Sequence, residues 1–253
     1  MIVCVGLATR DTVYAVPRHP GPDDRVVASE RVVAGGGPAA TAAVAIARLG
    51  VPARFVGVVD GDLEGVEVVR RPGRMVDSTI LVGEGTRAIV TEEAEPFDVP
   101  AEALADADWV HVDHLGWQAL QRGCTATWLR LSVDGGNPVP GLALDDVDLY
   151  VPTEATDDGR RARTTVVTRG AAGCTAYVDG ETFDVPAFAL DDVVSTLGAG
   201  DVFHGALLAS LTRGLGLHDA LVRANACAAL SCRALDGRSA IPTWDELEEA
   251  LRA

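Results

Sequence analysis

The sequence predicts an α/β fold built on a mainly parallel sheet covered on both faces. Two observations carry this. Short β-branched runs recur along the chain in strand, loop, helix order, and a glycine-hinged loop, Val193 to Gly200, runs straight into an apolar helix that begins at Asp201. The first pattern marks parallel strands joined by crossovers. The second is the local form of an anion site, because free amides at Gly198, Ala199 and Gly200 would point out of a helix N-terminus. A chain of 253 residues suffices for one such domain with a small appendage.

Taken in order, Met1–Gly6 reads as the first strand, and Asp11 follows just beyond its end, where open α/β sheets collect ligands; Asp is also an ordinary turn former there. Residues 17–24, rich in Pro, Gly and Asp, form a loop, and Arg25–Val33 alternates as a strand. Gly35, Gly36, Gly37 and Pro38 open a helix of small residues over Ala39–Leu49, stopped by Gly50; the glycines would let a ligand approach the backbone. Ala53–Val59 is a strand, followed by an acidic turn containing Asp60, Asp62 and Glu64 that suits a solvated surface. Ser78–Val82 and Arg87–Thr91 pair as a hairpin. Further strands are expected at Trp109–Asp113, Trp128–Val133, Val147–Val151 and Thr165–Thr168. Ala220–Ala234 is an apolar helix with Asn225 inside its apolar face, and Thr243 with Glu246 has capping-box spacing ahead of a final helix, Leu247–Arg252.

Composition excludes several function classes. A formal net charge of −16 disfavours nucleic acid and anionic membrane as partners. With no membrane-length apolar run and no basic leader, a cytoplasmic location is expected. The five cysteines, Cys4, Cys124, Cys174, Cys227 and Cys232, are scattered without metal-ligand spacing, so they read as buried reduced thiols, and the dispersed histidines form no metal pair. The chain has no lysine, which removes every phosphate loop or Schiff-base chemistry that depends on one. Phosphate chemistry would therefore rest on backbone amides, arginine and metal.

A carboxylate at Asp201, beside that anion site, suggests a proton acceptor next to a phosphoryl group. An aspartate that merely caps a helix satisfies the same residues, and both readings stay open at this point. His204 either packs behind Asp201 or faces solvent.

Five stretches in order resemble the ribokinase-like, or PfkB, carbohydrate kinases: Gly6–Asp11, Gly36–Gly50, Val167–Gly170, Ser195–Gly205 and Gly237–Pro242. The resemblance implies a three-layer α/β/α sandwich with a small β lid formed by segments near 12–33 and 78–96, often used for homodimers. It implies that Asp201 deprotonates a sugar hydroxyl attacking the γ-phosphate of ATP while Gly198, Ala199 and Gly200 form the anion hole. Asp11, Gly36, Gly37 and Thr41 would hold the sugar, and Thr168, Gly170 and Asn225 would lie on the nucleotide side. Magnesium would be held mainly through the nucleotide phosphates, with no dedicated protein site. The motifs look most like the subgroup containing sulfofructose kinase; Arg25 could serve an anionic substrate group, but His114-Leu115-Gly116 stands where a second arginine would be sought.

The chain also departs from the pattern. Thr41 stands where many members carry Asn, Ser195 replaces an aspartate tied to a monovalent-cation loop, so that potassium activation is doubtful, and Pro152–Thr156 replaces an Asn-x-x-Glu element. Crossovers near residues 60–74 and 154–164 are too short for helices and are expected to be loops or trimmed topology. A sugar- or nucleotide-binding regulatory protein with weakened catalysis, or a nucleoside kinase on the same scaffold, are the alternatives.

Overall fold

The computed structural model describes residues 1–122 and 130–253. Cys124 and the start of the strand expected from Trp128 lie outside the described residues. In β1 (Ile2–Val5) all four side chains are buried, as expected of a parallel strand covered on both faces. It sits inside a nine-stranded sheet whose order is β13 (Glu181–Val185), β12 (Cys174–Val178), β11 (Thr164–Thr168), β10 (Leu149–Pro152), β9 (Leu131–Gly135), β8 (Trp109–Val112), β1, β4 (Ala53–Gly57) and β5 (Glu67–Arg70). Pairing is parallel from β11 through β5, and β12 and β13 add an antiparallel edge. That edge pair and β5 were not foreseen from sequence.

Ile2 and Cys4 turn toward one core, which α1 (Pro38–Arg48), α3 (Ala199–Thr212), α4 (Leu217–Ser231) and α5 (Trp244–Ala250) cover. Val3 and Val5 face the other, covered by α2 (His114–Gln121) together with Phe97, Val99, Leu104, Leu142, Leu144 and Val147. The architecture is the expected α/β/α sandwich, with the second face covered largely by irregular chain. That cover comes from the chain before β8 and from the connection of β9 to β10, which has no helix; β4 also joins β5, and β10 joins β11, without one, as expected for the two short crossovers. α1 and α3 pack closely because Gly205 carries no side chain; a Cβ there would lie 2.6 Å from the Ala42 carbonyl oxygen. Cys4, Cys174, Cys227 and Cys232 are buried free thiols, as expected.

A second sheet has four strands in the order β3 (Glu30–Gly36), β2 (Thr9–Ala15), β6 (Val76–Gly83) and β7 (Thr86–Thr91). The expected hairpin is β6 and β7. Two expectations are corrected. The strand placed at Arg25–Val33 starts at Glu30 and runs to Gly36, because its partner β2 pairs Ala15 with Glu30 and Thr9 with Gly36. Asp11 lies within β2, not in a loop beyond β1. Among the described residues no helix is long and apolar enough to cross a membrane.

The join between β1, α1 and α2 depends on Asp113. Its carboxylate caps α2, one oxygen accepting from the amides of Leu115 (2.9 Å) and Gly116 (2.8 Å), while the other accepts from Leu7 (2.8 Å) and Ala39 (3.2 Å). Truncation in Asp113→Ala strands these amides, and we expect a loss of about 3 kcal/mol in unfolding free energy measured by urea titration.

Candidate active site

The helices α1 and α3 both begin at the C-terminal ends of the parallel strands, where open α/β sheets place their ligands. A cleft of about 600 Å³ lies there, between the large sheet and the small one. Its lining includes Asp11, Gly36, Gly37 and Thr41 on one side, Gly198, Gly200, Asp201 and His204 on α3 and the loop before it, and Thr153 and Thr168 at the far strands. Most of the residues singled out in the sequence thus meet in one place.

Gly198 opens α3 in the left-handed region at φ 73°, a conformation that favours glycine. It touches Gly237, whose Cα would lie 3.0 Å from an added Cβ. The anion site is altered in detail. The Ala199 amide donates to the Thr196 carbonyl at 3.3 Å, so the expected row of three is not intact. The amides of Gly198 and Gly200 have no protein acceptor among the described residues, and neither has that of Asp201 itself. The turn at Thr196 is what diverts the middle donor.

Asp201 is half-buried on the first turn of α3 and lines the cleft. Burial pushes its carboxyl up to about 7; Asp134 and Asp113 add to the rise, and His204 and Arg238 oppose it. A carboxyl in this condition exchanges its proton near neutral pH, as a general base must.

Asp11 accepts a hydrogen bond from Thr9 Oγ1 at 2.6 Å, and burial raises its carboxyl against the pull of Thr9, Arg238 and Ser78. Gly36 makes room for it, since a Cβ there would fall 2.0 Å from Asp11 Oδ2. Thr41, in the first turn of α1, accepts from Arg238 Nε at 3.0 Å, while Arg238 Nη2 donates to the Gly36 carbonyl at 2.5 Å. Burial lowers the Arg238 guanidinium to about 10, with Asp11, Asp201 and Asp236 working to keep its proton.

Four expected site residues are not among those lining the cleft: Ala199, whose amide is taken by Thr196, and Arg25, Gly170 and Asn225. Arg25 is exposed in the loop before β3 and is not among the lining residues. Gly170 stands in an exposed turn after β11. Asn225 is buried in α4 and is not among the lining residues; its amide donates to the carbonyls of Pro186 (3.0 Å) and Val185 (3.4 Å), which fixes the chain after β13. Glu154, the acid beside the altered strand end, is exposed and outside the lining.

Sequence reasoning missed three side chains, Arg238, Arg87 and Asp134, and left the position of His204 open. Arg238 follows Gly237 in the closing segment, but a buried arginine leaves no local signature. Arg87 reaches from β7 to Thr196 Oγ1 at 2.9 Å and is the one arginine lining the cleft among the described residues. Asp134 is the penultimate residue of β9, and His204, three residues after Asp201, is buried and not facing solvent, as its i,i+3 spacing allows.

Among the described residues no group of three or more His, Cys, Asp or Glu could hold a metal. The hydroxyls of Thr153 and Thr168 line that side of the cleft, neutral donors that fit magnesium carried by nucleotide phosphates and reached through water.

The model of the "pfkB family carbohydrate kinase" matches residues 1–71 and 148–244. An ATP-dependent ribose-1-phosphate kinase from Halopiger xanaduensis is 28% identical, covering 96% of this chain and 95% of its own. A ribokinase from Bacillus subtilis is 24% identical over 99% of each chain. The structure of Arabidopsis thaliana ribokinase complexed with ribose and ATP superposes with a TM-score of 0.76 at 20% identity, covering 100% of this chain and 98% of that one. With the matched segments spanning both strand-end halves of the cleft, the chain belongs to the pfkB family of carbohydrate kinases and is a phosphotransferase acting on a sugar-type hydroxyl.

Proposed function

We propose that the protein transfers the γ-phosphoryl group of ATP to a hydroxyl of a small sugar or sugar-like polyol, with Asp201 as general base. The observation that carries this reading is the placement of a carboxyl titrating near neutral pH in the same cleft as the unpaired amides of Gly198 and Gly200. The acceptor hydroxyl gives its proton to Asp201 as its oxygen forms the bond to phosphorus, and ADP leaves with the electrons of the broken bond. Developing charge on the transferring group is met by the Gly198 and Gly200 amides, donors fixed before the reaction starts. Magnesium, when bound with the nucleotide, neutralises phosphate charge and orients the terminal group.

Asp11 and Thr41 supply hydroxyl partners on the sugar side, with Gly36 and Gly37 keeping the backbone open. Thr168 belongs to the nucleotide side. The small sheet acts as the lid, excluding the water that competes as phosphoryl acceptor. Arg87, already bonded to Thr196, links that lid to the anion-hole loop.

One observation favours a second reading. Glu154 lies outside the cleft, so the strand end after β10 offers hydroxyls where the family pattern offers an acid. A sugar- or nucleotide-binding protein with weakened turnover would bind both ligands in calorimetry and release no ADP.

Asp201→Asn should lower kcat by about 10²- to 10⁴-fold while calorimetric affinities for sugar and ATP stay near wild type. Equal rates for both proteins across a panel of ketoses, aldoses and nucleosides would remove Asp201 from the mechanism. Because only the ionised carboxylate accepts a proton, kcat/KM should rise with pH up to about 7 and then level. An unperturbed aspartate would place that limb at about pH 4 instead.

A further inference from the structure

Behind Asp201 lies a buried cluster that the mechanism above does not use. His204 projects from the same face of α3, one turn on, and only 5% of its side chain is exposed. Its Nδ1 lies 3.1 Å from Asp134 Oδ2, within ion-pair reach but without the alignment of a hydrogen bond. The other Asp134 oxygen accepts from the Gly136 amide at 2.7 Å. His111, from β8, packs its ring 5.5 Å from that of His204 and places Nδ1 3.1 Å from Ser132 Oγ.

The charges around this cluster can be counted from every element packed on it. Asp113, Asp134 and Asp201 bring three carboxylates, while His111, His204 and Arg238 bring the groups able to carry positive charge, and Tyr150 lies near Asp134. Asp113 is held by backbone amides from three segments. Arg238 is bonded toward Thr41 and Gly36, beside Asp11 and Asp236. Burial and the His204 charge drive His111 down to about 3, so it stays neutral. Only His204 remains as a cation shared by Asp134 and Asp201. Burial opposes the charged ring, but Asp134 and Asp201 outweigh it and hold its pKa above the ordinary value. Asp134, whose burial pushes the other way, is kept below the usual carboxylate range by the His204 charge.

We propose that His204 is a positioning residue: a buried imidazolium, fixed by Asp134, that attracts the Asp201 carboxylate and keeps it ionised and available to accept the substrate proton. This rests on the reading of Asp201 as base. The role is electrostatic, and no proton passes through the ring. A purely structural pair would be expected to give way to neutral side chains of similar shape without altering how Asp201 titrates.

The test reads ionisation and turnover separately. In the wild-type protein, histidine-labelled NMR should show His204 titrating above about 6.5 while His111 remains neutral throughout. Removing the cation in His204→Gln should raise the Asp201 carboxyl titration, followed by ¹³C NMR, by about one pH unit. The acid limb of kcat/KM should move upward by the same amount, giving roughly tenfold lower kcat/KM below the limb and recovery above it. Asp134→Asn should lower the His204 titration.

A His204 ring that titrates at or below about 6.5 in the wild type overturns the proposal, and so does an Asp201 titration unmoved in His204→Gln. A fall in activity equal at all pH values also overturns it, since that is the mark of lost structure alone. The wild-type titration decides the matter even if a variant does not fold. Normal ionisation shifts in a protein without kinase turnover would leave this electrostatic arrangement standing and remove only the reading of Asp201 as base.

Discussion

The Asp113 carboxylate is the interaction on which the remaining geometry depends. Four backbone amides from three separate segments converge on its two oxygens, tying the loop after β1, the start of α1 and the start of α2 to one point. Hydrogen bonds to a charged acceptor are stronger than neutral ones, and these amides oppose, without cancelling, the burial that raises the Asp113 carboxyl above its ordinary range. The surroundings are shaped to admit it. Gly6 has φ 152°, and a Cβ at that position would fall 2.2 Å from Asp113 Oδ1. At Gly116 a Cβ would fall 1.9 Å from the Val5 carbonyl oxygen, so the helix can approach the strand only without a side chain. The floor of the cleft is set by these contacts before any ligand arrives.

From that floor the cleft obtains its local polarity in a chain whose net charge is −16. No lysine contributes. The positive field comes from amides at the start of α3, from Arg87 on the small sheet and from Arg238 held between Thr41 and Gly36. Electrostatic attraction at this scale is decided by groups within a few ångströms, because charges on the exposed surface are screened by water and salt. An acidic protein can therefore hold a nucleotide phosphate.

The two faces of the large sheet are covered differently. One face carries α1, α3, α4 and α5, while the other relies on α2 and on loop residues such as Phe97, Leu142 and Val147. Both helices that open onto the cleft, α1 and α3, belong to the well-covered face.

Periodicity, glycine placement and helix starts were sufficient to determine the alternating α/β order, the Gly198 hinge, the glycine-opened α1 and the hairpin of the small sheet, because each is governed by interactions between residues near one another in the chain. Only the resemblance to the family grouped Asp11, Gly36, Thr41 and Asp201 in one site, and all four line the cleft. Register and long-range partners were decided only by the tertiary structure. Asp11 became part of β2 through pairing with β3 and β6. The Ala199 amide was taken by Thr196, Asn225 by the carbonyls after β13, and Arg238 by groups about 200 residues away in sequence. Asp134 and His204 come from different elements, so no sequence spacing announced their pairing. A side chain's partner depends on which distant surfaces pack together, and that is a property of the folded whole.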